Sequence, residues 1–201
     1  MVRLAISVEG QTEENFVNKL LVPHFIALDI HVTPILIGGR GGDVSLDRAR
    51  KDINKLASSF DRVTTLYDFY GFKGKTDDDV KSSLEDRILK EVSADLKHKV
   101  IPYIQMYEFE GLLFSCPDIF DDHLNGEKLV DWGLKILRQF GNNPERINDS
   151  QQTAPSKRLQ IRTNYVKTIH GPAICQDIGL ETIRSLCPGF NEWLQTLESL
   201  H

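Results

Sequence analysis

Apolar positions in the first half of the chain fall into short runs separated by stretches with helical spacing. "RLAISV" (residues 3–8) is a brief apolar run ending in branched residues and reads as a buried strand. "VTPILIGG" (32–39), "RVTTLYD" (62–68) and "KVIPYIQM" (99–106) read as three more, with Pro34 best placed at a sheet edge or near a strand start. Between the first two, Thr12 is a candidate N-cap, Glu13 and Glu14 suit the positive end of a helix, and Phe16, Leu20 and Leu21 share a face. Pro23 is expected to kink or restart that helix. Leu46, Ala49, Ile53 and Leu56 predict a second helix, and Val80, Leu84, Ile88, Val92 and Leu96, each four apart, a third.

Strands alternating with helices predict an α/β fold built on a largely parallel sheet of about four strands flanked by helices. After Phe109 no strand pattern follows. Trp132, Leu134, Ile136 and Leu137, and the C-terminal "GLETIRSLCPGFNEWLQTLESL", predict helices instead. The expected organisation is an α/β core over 1–115 and a helical extension over 116–201, packed as a single structural unit.

Composition narrows the class. The 201 residues are 40% hydrophobic and 26% charged, ordinary for a globular protein, and no apolar run approaches the roughly 20 residues of a membrane span. The N-terminal segment turns acidic too early for a secretory signal. Cys116, Cys175 and Cys187 are odd in number and form no CxxC pair, which speaks for a reducing compartment, the cytoplasm. Net charge is −5, yet Glu145 to His170 holds five basic residues (Arg146, Lys157, Arg158, Arg162, Lys167) against two acidic ones. That basic island is either a solvated face or a phosphate-binding one.

Candidate chemistry lies at the strand ends. The first strand runs into Glu9-Gly10, the third ends at Asp68, and the fourth is followed by Glu108 and Glu110 within "VIPYIQMYEFEGLLFS". In a parallel sheet these carboxyl ends line one edge, where open α/β sheets bind ligands. Carboxylates that converge among apolar segments need a partner, and hard oxygen ligands favour Mg²⁺ or Mn²⁺. The alternative for each acid alone is helix capping. Gly10 and Gly111 would let a backbone or phosphate approach closely. "GGRGGD" lacks the GK[ST] ending of a P-loop and reads as a loop beside substrate, with Arg40 as its candidate contact. Tyr67, Phe69, Tyr70 and Phe72 are either core anchors or surfaces for base stacking.

"LAISVEGQTEENFV", "TTLYDFYG" and "YEFEGLLF", in that order, resemble the Toprim catalytic core. More closely they resemble a divergent bacterial family of similar length, a domain of unknown function found beside AAA/ABC-type ATPases and related to the OLD-type nucleases. "INDSQQTAPSKRL" and "IGLETIRSLCPGFNEWL" extend that resemblance over most of the chain. The resemblance implies Mg²⁺- or Mn²⁺-dependent phosphodiester chemistry. It puts Glu9 at the strand-ending glutamate of the Toprim signature and Asp68 at the first aspartate of the DxD motif. The second aspartate is replaced by Tyr70, which removes a metal ligand and leaves Glu108 and Glu110 to supply it.

On this reading Glu9, Asp68, Glu108 and Glu110 hold metal, with Glu9 as ligand or general base. Lys157 and Arg158 clamp phosphate, helped by Ser156 or Thr153. The segment can equally be a helix start, with Thr153 or Ser156 as N-cap and Pro155 in the first turn. The expected function is a nuclease acting on DNA or RNA, an effector in phage defence with an ATPase partner encoded nearby, no membrane contact, and homo-oligomerisation left open. The alternatives are a non-catalytic nucleic-acid-binding or regulatory module of an ATPase complex, or small-molecule phosphate chemistry.

Overall fold

Val2–Val8 forms β1, whose residues alternate between two buried faces. In the computed structural model, which describes residues 1–148 and 150–200, the chain then enters α1 (Gln11–Phe16). It passes through a π-helical turn at Val17–Leu21 into α2 (Val22–Ile26), with Pro23 in the first turn of α2 as expected of a restart. There follow β2 (Ile30–Leu36), β3 (Val44–Ser45), α3 (Leu46–Ala57), β4 (Arg62–Asp68), β5 (Phe72–Lys73), α4 (Lys81–Glu91), β6 (Val100–Ile101) and β7 (Ile104–Gln105). The rest of the chain is helical: a 3-10 segment Phe109–Ser115, α5 (Phe120–His123), α6 (Leu129–Gln139), α7 (Pro155–Arg162), α8 (Lys167–Ile178), α9 (Leu180–Leu186) and α10 (Pro188–Glu198).

The main sheet has five strands in the order β2-β1-β4-β6, with β7 also on β4, and every pairing is parallel. Pro34 lies in the edge strand β2, where its missing N–H costs no ladder bond on the open side. Leu4, Ile6 and Val8 face one cluster with Phe16, Phe109, Ile174 and Leu194, which joins the sheet to the C-terminal helices. Ala5, Val63 and Tyr67 face the other, under Ile53 of α3 and Leu84 of α4. The α/β fold with a mostly parallel sheet and a helical C-terminal region is therefore the one expected from the pattern.

Three local expectations are corrected. The second strand stops at Leu36, because Gly38 adopts φ 61° and the chain turns through Ile37–Gly39. The fourth strand is broken into β6 and β7: Pro102 has no N–H to give, and Thr65 Oγ1 replaces the ladder by accepting from Tyr103 N (2.8 Å) and donating to Tyr103 O (2.7 Å). Thr12 is not the N-cap of the first helix. Gly10 occupies that position, and its N–H donates to Glu13 Oε2 at 2.9 Å.

The last helix is tied to the sheet by Trp193. Its indole N–H donates to Thr64 Oγ1 (2.8 Å) and its ring stacks on Tyr103 with centroids 4.4 Å apart. Trp193→Phe keeps most of the apolar area but loses the buried hydrogen bond, so chemical denaturation should show a loss of about 1 kcal/mol.

Candidate active site

The parallel register decides what meets at the sheet's carboxyl edge. Val8 pairs with Leu66, so Glu9 and Asp68 leave neighbouring strands close to one another. Asp68 N approaches Glu9 Oε2 at 3.4 Å. Asp68 in turn pairs with Gln105 of β7, and the chain folds back so that Phe109 N–H donates to Asp68 Oδ1 at 2.7 Å. β4 separates β1 from β7, yet that fold-back brings the glutamates beside Asp68.

Glu9, Asp68 and Glu108 share the wall of a cavity of about 300 Å³ with Lys73, Lys157 and Lys167. Tyr70, Gly71 and Gln151 complete it. Glu110 lies behind this wall, 1% exposed, with Lys167 Nζ at 3.1 Å from its Oε1 and the Tyr165 hydroxyl donating to the same oxygen at 3.3 Å. Its Oε2 is buried with no hydrogen-bond partner. Glu108 does two jobs: it faces the cavity, and its Oε2 accepts the N–H of Ser156 (2.9 Å) at the start of α7. One side chain thus both caps α7 and lines the cavity.

The electrostatics follow from crowding. Burial pushes the carboxyls of Glu9, Glu13, Asp68 and Glu110 above their ordinary range, Glu13 to about 7, and mutual repulsion adds to it. Glu9 is pulled partly back by the Asp68 N–H and by Lys167. Burial alone would lower Lys167, but Glu110, Asp68 and Glu108 together raise it, so it stays an ammonium. Lys167 thus stands as an ammonium among several buried carboxylates.

The remaining sequence candidates, Tyr70 apart, fall outside the cavity wall. Gly10 caps α1. Arg40 is exposed on the loop after β2. Ser156 is buried, with its N–H committed to Glu108. Arg158 donates to Thr153 O (2.6 Å) and lies over the Phe140 ring. Neither Thr153 nor Ser156 caps α7; Ala154 does, with Pro155 first in the helix. Tyr67 and Phe72 are core residues, whereas Tyr70 is half-buried in the wall and its hydroxyl donates to Asn148 Oδ1. Asp149 of the basic island lies outside the described residues.

Tyr165 and Gly71 were not singled out in the sequence, and Lys167 and Glu13 were named there only as a member of the basic island and as a first-turn acid. Glu13 carried a signal: it precedes Phe16, Val17, Leu20 and Leu21 at the spacing of their buried face. Gly71 carried none, although a Cβ there would come within 2.7 Å of both Glu9 carboxylate oxygens.

A divalent cation fits this chemistry of hard oxygen donors around an orphaned, buried carboxylate oxygen. Among the described residues no three His, Cys, Asp or Glu side chains already stand as a chelating group, so the carboxylates must close in to hold one. Also among the described residues, no helix is long and apolar enough to cross a membrane.

No curated protein matches the chain in sequence. Among solved structures, it is similar to the C-terminal region of the Xanthomonas campestris pv. campestris OLD protein, at 17% identity and a TM-score of 0.38 over 98% of each chain. A family model described as Domain of unknown function (DUF4276) matches residues 8–198, and the chain belongs to that family.

Proposed function

We propose that this protein is a divalent-metal-dependent nuclease, hydrolysing phosphodiester bonds of DNA or RNA. One observation carries the reading: Glu9, Asp68 and Glu108 share a cavity with Lys73, Lys157 and Lys167 at the carboxyl edge of a parallel sheet. Carboxylates alone would repel a phosphate and lysines alone would hold it without chemistry. Together they suit a phosphate bridged to a cation.

Glu9, Asp68 and Glu108 would hold Mg²⁺ or Mn²⁺, with Glu110 behind them. When bound, the cation acidifies water and neutralises charge on the phosphate. The chain's own residues do the rest. Lys157 and Lys73 bind phosphate oxygens as point charges. Lys167, fixed by Glu110, supplies a permanent positive charge beside the reacting group. Glu9, with its carboxyl raised above its ordinary range by burial, accepts a proton at Oε1 or Oε2. In the same proposal the protein is an effector of phage defence and works with an AAA/ABC-type ATPase.

Tyr70 favours a second reading. It stands in the cavity wall where the Toprim resemblance calls for an aspartate, as a non-catalytic nucleic-acid-binding or regulatory module would allow.

Calorimetric titration with Mn²⁺, alongside incubation with plasmid DNA and with total RNA, separates the two. Saturable binding with cleavage is expected; binding of nucleic acid without metal binding or cleavage would leave the second reading. A methyl group at residue 71 provides a finer test. Gly71→Ala must push the Glu9 carboxylate aside, at little cost because that group ends a flexible side chain. Mn²⁺ affinity should fall roughly tenfold while stability stays within about 0.5 kcal/mol.

A further inference from the structure

A second cavity, of about 460 Å³, lies away from the carboxylate edge, between α3 and the loop that follows β2. Its volume falls within the range of small-molecule sites. Arg48, Lys51 and Lys55, at positions i, i+3 and i+7 of α3, put three cationic side chains on one side of it, Lys51 being also paired with the exposed Asp47 at 2.7 Å. Ile35 and Leu56 give it an apolar wall, and the backbone of Gly38 and Gly39 closes one end. The buried Asp52 carboxylate forms part of the lining; it accepts from Gly38 N (3.2 Å) and Ser7 Oγ (2.7 Å), and each oxygen keeps a further lone pair.

These features ask for different parts of one ligand. Three cations around one carboxylate call for an anion carrying more than one negative charge. The apolar wall beside a planar guanidinium suits a flat ring. A buried carboxylate is an acceptor for a hydroxyl or an amino group. We propose that this cavity is a second ligand site and that it takes a nucleoside phosphate, either as a free nucleotide or as the phosphorylated end of a strand. The proposal stands independently of the hydrolytic reading of the carboxylate edge.

Occupancy would be felt in the adjoining loop. Arg48 donates to the carbonyls of Ile37 (3.3 Å), Gly41 (3.0 Å) and Asp43, and Gly42 N–H donates to the main-chain oxygen of Glu9 at 2.9 Å. The side chain that would meet the phosphate therefore also fixes the segment packed on Glu9.

The test is calorimetry on the intact, metal-free protein in EDTA, with AMP, GMP, CMP, UMP, a 5′-phosphorylated dinucleotide, adenosine and inorganic phosphate as probes. At least one nucleotide or the dinucleotide should bind saturably, with phosphate and adenosine at least about tenfold weaker. Lys55→Glu, an exposed change on α3, should weaken that binding by at least about tenfold, and Glu108→Gln in the other cavity should leave it unaltered. Tighter binding of a mononucleotide identifies a free ligand; tighter binding of the dinucleotide identifies a strand end. Amide exchange at Gly41 and Gly42 should slow on binding. The proposal is overturned if none of these probes binds, if phosphate alone binds as tightly as the nucleotides, if the effect of Glu108→Gln exceeds that of Lys55→Glu, or if the loop amides do not respond.

Discussion

Glu9→Gln should reduce metal-dependent cleavage by at least about 100-fold and at the same time make the protein more stable. The first effect follows from position: Glu9 ends β1 in the cavity wall, next to Asp68 and across from the lysines. An amide keeps the shape but loses the negative charge that holds a cation and the basicity that takes a proton. The second effect follows from the crowding of Glu9, Glu13, Asp68 and Glu110, each held above its ordinary range by burial and by one another. Removing one charge relieves the rest. A gain of about 1 kcal/mol would raise Tm by about 2–4 °C in a chain of this size. Cleavage assays and thermal unfolding of the same sample in EDTA measure both. Loss of activity with a fall in Tm would mean that Glu9 is a structural ligand of the fold, and retained activity would remove it from the site.

In EDTA, stability should fall steadily as pH rises from about 4.5 to about 7, and Mg²⁺ should flatten that fall. Glu13 sets the window. Its carboxyl moves from an ordinary 4.5 to about 7 in the fold. Between those values the folded protein holds a proton that the unfolded chain has released. The contribution is complete below 4.5 and lost as pH passes through about 7; for Glu13 alone it amounts to about 3 kcal/mol. Asp61, beside Arg3, and Asp79, which accepts from Thr76 N, Ser83 and Arg87, act in the opposite sense: both are held near 2. Their contribution is present above the ordinary aspartate value of 3.8 and disappears only as pH falls towards 2. A stability maximum between the two limbs, displaced towards neutral pH by Mg²⁺, is the expected curve. A flat profile in EDTA would show that burial does not raise the Glu13 carboxyl in the fold.

What could be read from the chain and what could not differ for physical reasons. The strand 62–68 was visible to the residue, because "VTTLY" between a charged start and a charged end has no competing helical spacing. The carboxylates at the ends of β1 and β4 were visible for the same reason, since a parallel sheet gathers strand ends whatever lies between them. The break at Pro102 was less so: the apolar run continues through it, and only the side chain of Thr65 on the neighbouring strand shows where the ladder is replaced. Lys167 was visible only as a member of the basic island, without its partner. It lies 57 positions beyond Glu110, and its partner is chosen by how α8 docks, for which one sequence offers no periodicity. Glu13 was legible in part: it does sit in the first turn of α1 and accepts from Gly10 N–H, but its spacing to Phe16 also placed it inward beside the other carboxylates.

The positive charge that holds the acidic edge together arrives late in the chain. β1, β4 and the segment after β7 bring the carboxylates, whereas Lys167 opens α8, and the apolar face of the sheet is covered partly by α8 and α10. A nascent chain that has left the ribosome only as far as Ser115 carries the acids and Lys73 but neither Lys157 nor Lys167, with Leu4 and Phe16 still uncovered by those helices. Completion of the site and completion of the fold are one event. Under the proposed hydrolytic function, the site gains Lys167 only once α8 has docked.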